Sequence, residues 1–238
     1  TELRAEGVHI AEAMPFQNID QLRSMPEIVV SEAEGFRWDA FMFNQKSEIG
    51  SNKPFRQAFN WAIDREAIHT VVYAGTGRVG YAPYWPNTPY YDPDYKPFIR
   101  DVEKAKALIA ESGLQPPIQL KCLLYQDDAY ERAAQILQAN LSEIGVEMSI
   151  EVREHASVLQ TFQVGDYEFS TTWWGWRPDP DSGIYPKFHS QGSQNYYGYY
   201  HNPEADELMD QTRAEIDREK RIELFRQLTD VLNDDAVF

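Results

Sequence analysis

Residues 171 to 183 read Thr-Thr-Trp-Trp-Gly-Trp-Arg-Pro-Asp-Pro-Asp-Ser-Gly. Trp173, Trp174, Trp176, Arg177 and Asp179 therefore place three indoles, a guanidinium and a carboxylate within a few positions of one another. Flat aromatic rings offer apolar area at low entropy cost, which suits stacking on sugars or covering peptide side chains. For a single tryptophan, core packing is the commoner fate. Successive strand side chains, however, point to opposite faces, so three indoles within four residues cannot all enter one core. At least one is expected to face a cleft, a partner lobe or solvent. Tyr196-Tyr197-Gly198-Tyr199-Tyr200 repeats the pattern, and Tyr197 joins the candidate ligand contacts.

Other chemistries find no framework. Gly75-Thr-Gly-Arg-Val-Gly80 matches a dinucleotide-binding fingerprint by letter, but that site needs a strand before it and a helix after it. Here a helical pattern precedes and a proline-rich stretch follows, so the glycines read as a helix-ending turn. The five histidines (9, 69, 155, 189 and 201) show no metal-ligand spacing. No G-x-S-x-G nucleophile elbow is present. Asp127-Asp128 reads as a helix cap and Asp179 with Asp181 as part of a turn. The single cysteine, Cys122, lies on the apolar side of an alternating strand and reads as a small core residue. No catalytic residue, metal or cofactor is expected.

The elements that must position the aromatic segment come from periodicity. Strand character marks 27–31 and 36–44. Phe55, Ala58, Phe59 and Ala62 recur at helical spacing behind Pro54, and Asp64 caps a helix that carries Ala67, Ile68, Val71 and Val72 to Gly75. Five prolines between Tyr81 and Phe98 predict an ordered, wrapping loop. A helix opens at Asp101 and stops at Gly113, followed by strand 118–124 and helix 128–144. Val146, Met148, Ile150 and Val152 alternate with polar residues as a half-buried strand. A helix near 155–164, a strand at 167–174 and two helices opening at Asn202 and Asp217 complete the pattern, the first burying Ala205, Leu208, Met209 and Ile216. This alternation predicts an α/β or α+β lobe, a small mixed sheet flanked by helices. Pro178 and Pro180 end pairing, so the indoles stand at a strand's carboxyl end, where ligand crevices of α/β sheets lie.

The chain of 238 residues carries 22 Lys and Arg against 38 Asp and Glu, a formal charge of −16. Such a field repels nucleic acid and anionic membrane faces. No apolar run reaches the roughly 20 residues of a membrane span. The chain opens at Thr1 without a leader and stops at Asp-Ala-Val-Phe238, an incipient strand, so both ends read as cut from a longer protein.

Several motifs, in order along the chain, resemble the family 5 extracellular solute-binding proteins of bacterial ABC importers. These are Lys53-Pro-Phe-Arg-Gln-Ala-Phe-Asn-Trp-Ala-Ile-Asp-Arg-Glu-Ala-Ile68, Asp101-Val-Glu-Lys-Ala-Lys-Ala-Leu-Ile-Ala-Glu-Ser-Gly113, Leu141-Ser-Glu-Ile-Gly-Val146, Gly165-Asp-Tyr-Glu-Phe169, and Tyr200-His-Asn-Pro-Glu-Ala-Asp-Glu-Leu208 with Asp217-Arg-Glu-Lys-Arg221. The resemblance implies a periplasmic-binding-protein-like lobe, with residues 1–40 as the end of a first lobe and the approach to a hinge. Residues 41–238 would form most of the second lobe, truncated at its C-terminus, with Phe43 and Asn44 at the hinge. It further implies a monomeric, non-catalytic receptor in the periplasm or outside the cell, with a lipid anchor as an option, closing with its missing first lobe over a small solute and docking to an ABC permease. Peptide-binding members carry an aspartate for the peptide ammonium three residues beyond the position of Trp173; here that residue is Trp176. The resemblance leaves two ligands open: an oligopeptide, or an oligosaccharide stacked on the indoles. A sensory or interaction module built on the same lobe is the alternative of another class.

Overall fold

In the computed structural model of the chain, which describes every residue but Thr1, Arg4, Glu6, Ala13, Glu34, Phe36, Trp85, Pro86, Asn87, Trp176, Arg177 and Pro178, no described residue ahead of Met42 is buried. That opening stretch carries a 3-10 turn at Phe16–Asn18 that leads into a short α-helix, α1 (Ile19–Arg23). Residues 27–31, expected as a strand, are irregular, and Val29 is 92% exposed. No neighbouring strand pairs with them, and without one β-propensity has nothing to stabilise.

Four strands form one sheet in the order β1-β4-β2-β3. The edge strand β1 (Arg37–Phe43) runs antiparallel to β4 (Phe169–Gly175), with Arg37 opposite Gly175 and Phe43 opposite Phe169. β2 (Ile118–Tyr125) is parallel to both β4 and β3 (Val146–Arg153). Parallel neighbours need crossovers. α5 (Asp128–Ser142) supplies one between β2 and β3, and α6 (His155–Val164) supplies the next between β3 and β4. The expected mixed sheet flanked by helices is therefore what the chain forms.

Capping fixes where the helices begin. Asn52, Asp64, Asp101, Asp127, Asn202 and Asp217 each accept a backbone N–H of the first turn of α2 (Lys53–Ala62), α3 (Arg65–Tyr73), α4 (Val102–Glu111), α5, α8 (Pro203–Ala214) and α9 (Arg218–Asp234), respectively. α3 ends one residue earlier than expected, because Ala74 itself takes the left-handed conformation at φ 51°.

Strand alternation then divides the core. Phe43 points to one face, against Phe55 and Phe59 of α2 and Phe169 of β4, where α4 and α5 also pack. Met42 points to the other face, against Phe188 of α7 (Asp181–Phe188), Met209 of α8 and Phe225 of α9. The loop 81–98 wraps α9 as expected: the Tyr84 hydroxyl donates to the Phe225 carbonyl at 2.7 Å. Among the described residues no helix is long and apolar enough to cross a membrane.

Four local expectations change. Val152 is 40% exposed, because β3 is the outer strand of the sheet and the alternation fades at its end. Ile216 is 98% exposed, since α8 stops at Ala214 and leaves it in the connection to α9. Residues 181–188, which the prolines concealed, form α7; Pro186 sits in its last turn. The terminal Asp235–Phe238 segment turns, with Ala236 at φ 48° and Val237 donating to the Leu232 carbonyl, instead of extending as a strand.

Candidate functional site at the carboxyl edge of the sheet

The parallel strands β2, β3 and β4 end at Tyr125, Arg153 and Gly175, and antiparallel β1 begins beside them at Arg37. These termini share one edge of the sheet, the position where α/β folds place a ligand crevice. Trp173 is the last strand residue whose side chain is described there. It is half-buried, pairs across the ladder with Asp39, and packs on the cluster of Leu123, Tyr125, Tyr130 and Phe162. The Trp174 side chain, Trp176 and Arg177 lie outside the described residues. Ser170, Thr171 and Thr172, just upstream, are all buried.

Arg37 and Asp39 share a face of β1 by alternation, and α5 brings Tyr130 against them. The guanidinium donates through Nε to both Asp39 oxygens at 3.0 and 3.2 Å, and through Nη2 to Oδ1 at 2.9 Å. Nη2 also donates to the Tyr130 hydroxyl at 2.9 Å, which in turn donates to Asp39 Oδ1 at 2.6 Å. The guanidinium carbon lies 5.3 Å from the Trp173 ring centre and 6.0 Å from that of Tyr130. Burial works against the Arg37 charge, yet the hydrogen bonds and charge of Asp39 outweigh it and raise the pKa above the usual arginine value. Burial, with Asp39 close by, raises the Tyr130 hydroxyl in turn. The three side chains form one hydrogen-bonded group at this edge of the sheet.

Behind the rim, Lys187 of α7 is 3% exposed and reaches up under β4. Its Nζ donates to Thr172 Oγ1 at 3.1 Å and to the Trp173 carbonyl at 2.9 Å, and stands 3.9 Å from the Tyr197 ring centre. Burial lowers its pKa to about 7. Tyr197 is half-buried between that ammonium and Phe162, stacked on Tyr196 at 4.8 Å. The Tyr167 hydroxyl donates to the carbonyls of Tyr196 and Tyr197 and fixes their turn. Asp179 turns away: both its oxygens accept from Arg221 of α9 at 2.9 Å. Those bonds overcome its burial and lower its pKa. Its carboxylate closes the segment after β4 onto α9.

Phe43 and Asn44 stand at the opposite end of β1 from Arg37. Phe43 is 4% exposed in the aromatic core, and Asn44 is 1% exposed. Asn44 Nδ2 donates to the carbonyls of Gly165 and Tyr167 at 3.0 and 2.7 Å, and its backbone N–H to Glu168. They tie β1 to the turn before β4. Arg37, Asp39, Tyr130 and Lys187 were not visible as site residues. The available signal was the spacing Arg37-x-Asp39, two charges on one face of a strand otherwise bound for the core.

Cys122 is fully buried and its thiol pKa is pushed up by that burial, as suits a packing residue. Among the described residues no group of three His, Cys, Asp or Glu side chains could hold a metal ion. Two shallow surface grooves run along α8 and α9, one lined by Gln211, Glu215, Lys220 and Leu224, and share no residue with the sheet edge.

The model for bacterial extracellular solute-binding proteins, family 5 Middle, matches residues 1–195. The dipeptide-binding protein of Escherichia coli K12 is 28% identical over 94% of this chain and 44% of its own length. The heme-binding protein A of Haemophilus influenzae is 27% identical over 93% of the chain and 42% of its own length. In structure, the periplasmic binding protein DppA of Helicobacter pylori, in complex with the peptide STSA, superposes with a TM-score of 0.91 at 23% identity, over 99% of this chain and 47% of that one. AppA of Bacillus subtilis, in complex with a nonapeptide, gives 0.86 at 24% identity, over 98% and 50%. The chain thus spans about half the length of the proteins it matches. By the family model and the order of its motifs, the chain belongs to the bacterial extracellular solute-binding proteins of family 5.

Proposed function

We propose that this chain is one lobe of the substrate-binding component of an ABC importer, that it closes with the rest of the protein over a short peptide, and that the closed form is presented to a membrane permease. The observation that carries the reading is the carboxyl edge of the sheet, where a half-buried indole, Trp173, meets a fixed ion pair, Arg37 and Asp39. Stacking surface beside fixed charge suits a ligand that is apolar along its length and charged at points, as a peptide is. The relatives named for dipeptide binding and the solved neighbours carrying peptides support the same reading. Binding and closure require no bond to be made or broken, so the lobe works without catalysis, as a monomer in the periplasm or outside the cell. The chain enters β1 at the crevice edge. The crossing from the other lobe therefore belongs ahead of Arg37, with residues 37–238 as the lobe proper.

Thermal melting of the full-length protein against di- to pentapeptides, β-linked oligosaccharides and nickel–histidine tests this reading. A ligand at a hundred times its Kd stabilises the folded state by about 2.7 kcal/mol. Peptides are expected to raise the melting temperature; a rise with oligosaccharides or nickel–histidine alone overturns the peptide assignment.

A further inference from the structure

We infer that Arg37 reads a carboxylate of the ligand, with Asp39, Tyr130 and Trp173 holding its guanidinium in place; the inference rests on the peptide reading above and adds which group of the peptide this rim selects.

Of the five N–H donors of an arginine, those on Nε and Nη2 are spent on Asp39 and Tyr130. The two on Nη1 find no acceptor among the described residues and remain for a ligand. The pair is also asymmetric in exposure. The Arg37 side chain is 54% exposed and that of Asp39 only 23%, so the more accessible pole of the pair is positive. Asp39 Oδ1 already accepts from Nε, Nη2 and the Tyr130 hydroxyl, which leaves it little capacity for a ligand ammonium. A carboxylate approaching this edge of the sheet meets the exposed guanidinium before the more shielded Asp39. Holding the guanidinium beforehand, in a carboxylate fork and against an indole, removes most of the rotamer entropy that a free arginine loses on binding. A carboxylate is the anion that a peptide offers, either at its C-terminus or on an acidic side chain.

The test is calorimetry of the full-length protein with three peptides of one length: trialanine as the free acid, trialanine amide, and an amide with a central glutamate. The wild type is expected to bind a carboxylate-bearing peptide about tenfold or more tightly than trialanine amide, the usual scale for a charge-assisted hydrogen bond. Preference for the free acid identifies the C-terminus as the group read, and preference for the glutamyl amide identifies the side chain. In R37M, which keeps the apolar stem, acid and amide are expected to bind within about twofold of each other, well under the effect of one charged hydrogen bond. Equal wild-type affinity for all three peptides overturns the inference while leaving the peptide reading standing. So does R37M weakening acid and amide alike, the mark of a purely structural strut. Absence of binding to any peptide overturns both. Even if R37M fails to fold, equal wild-type affinities for the three peptides still overturn the inference.

Discussion

Lys187 is the residue with the sharpest consequence for stability. This ammonium donates to a hydroxyl and a carbonyl, and its burial lowers its pKa from 10.5 to about 7. Between those two values the unfolded chain holds the proton while the folded one releases it. More protons bound to the unfolded state means that stability rises with pH across that window; the cost of burying the charge is fully present below pH 7 and fades as pH rises toward 10.5. Replacing Lys187 with methionine removes the titration. The unfolding free energy of the wild type, measured by urea denaturation, is therefore expected to gain on that of K187M as pH rises from about 7 to 10. A difference that stays flat across that range contradicts the account. The lysine also fixes the Trp173 carbonyl, so the same contact that carries the pH dependence holds the crevice indole in register.

At the scale of elements, the C-terminal end of α9 is tied to α2 by Asp235. Its carboxylate accepts from the Tyr200 hydroxyl and Asn202 Nδ2 at 2.7 Å each and from Lys53 Nζ at 2.9 Å, while its carbonyl accepts from the buried Arg56. Burial opposes the charge, but the bonds from Asn202, Tyr200 and Lys53 prevail and lower the pKa. A carboxylate depressed in the folded state stabilises above the ordinary carboxylate range, and that stability disappears as pH falls through the lowered value. D235N is expected to cost about 2 kcal/mol at neutral pH, the scale for hydrogen bonds to a charged group. It should also lose part of the acid sensitivity, both read by urea unfolding at pH 7 and pH 3; an unchanged midpoint contradicts this.

Helices of this kind were legible because Asp64, Asp101, Asp127, Asn202 and Asp217 announce their starts and apolar residues recur behind them. α7 was hidden because Pro178 and Pro180 read as ending regular structure, although Pro180 is the cap from which the helix starts. Sheet order and the rim triad were not legible. Arg37, Asp39 and Trp173 meet through pairing across more than 130 residues of chain, and Tyr130 reaches them from a helix between. No local pattern encodes that meeting. The strand end bearing Trp173 was legible, since three indoles in four positions exceed what one face can bury.

For the whole molecule, the chain spans about half of its relatives' length, and on the proposed function it forms one wall of the ligand cleft. Half a wall buries half a ligand and leaves the entropy cost of association nearly whole, so the 238-residue chain alone is expected to bind peptides far more weakly than the full-length protein. On the proposed function, the exposed guanidinium of Arg37 would guide entry, Trp173 would supply contact area, and closure with the rest of the protein would complete the burial. The most direct measurement is calorimetry of the full-length protein and its W173A variant with one short peptide. The account predicts that the wild type binds with a negative heat-capacity change and that W173A loses about tenfold or more in affinity, as for an aromatic residue central to an interface. Binding by W173A equal to that of the wild type would contradict the claim that this edge of the sheet is the ligand wall.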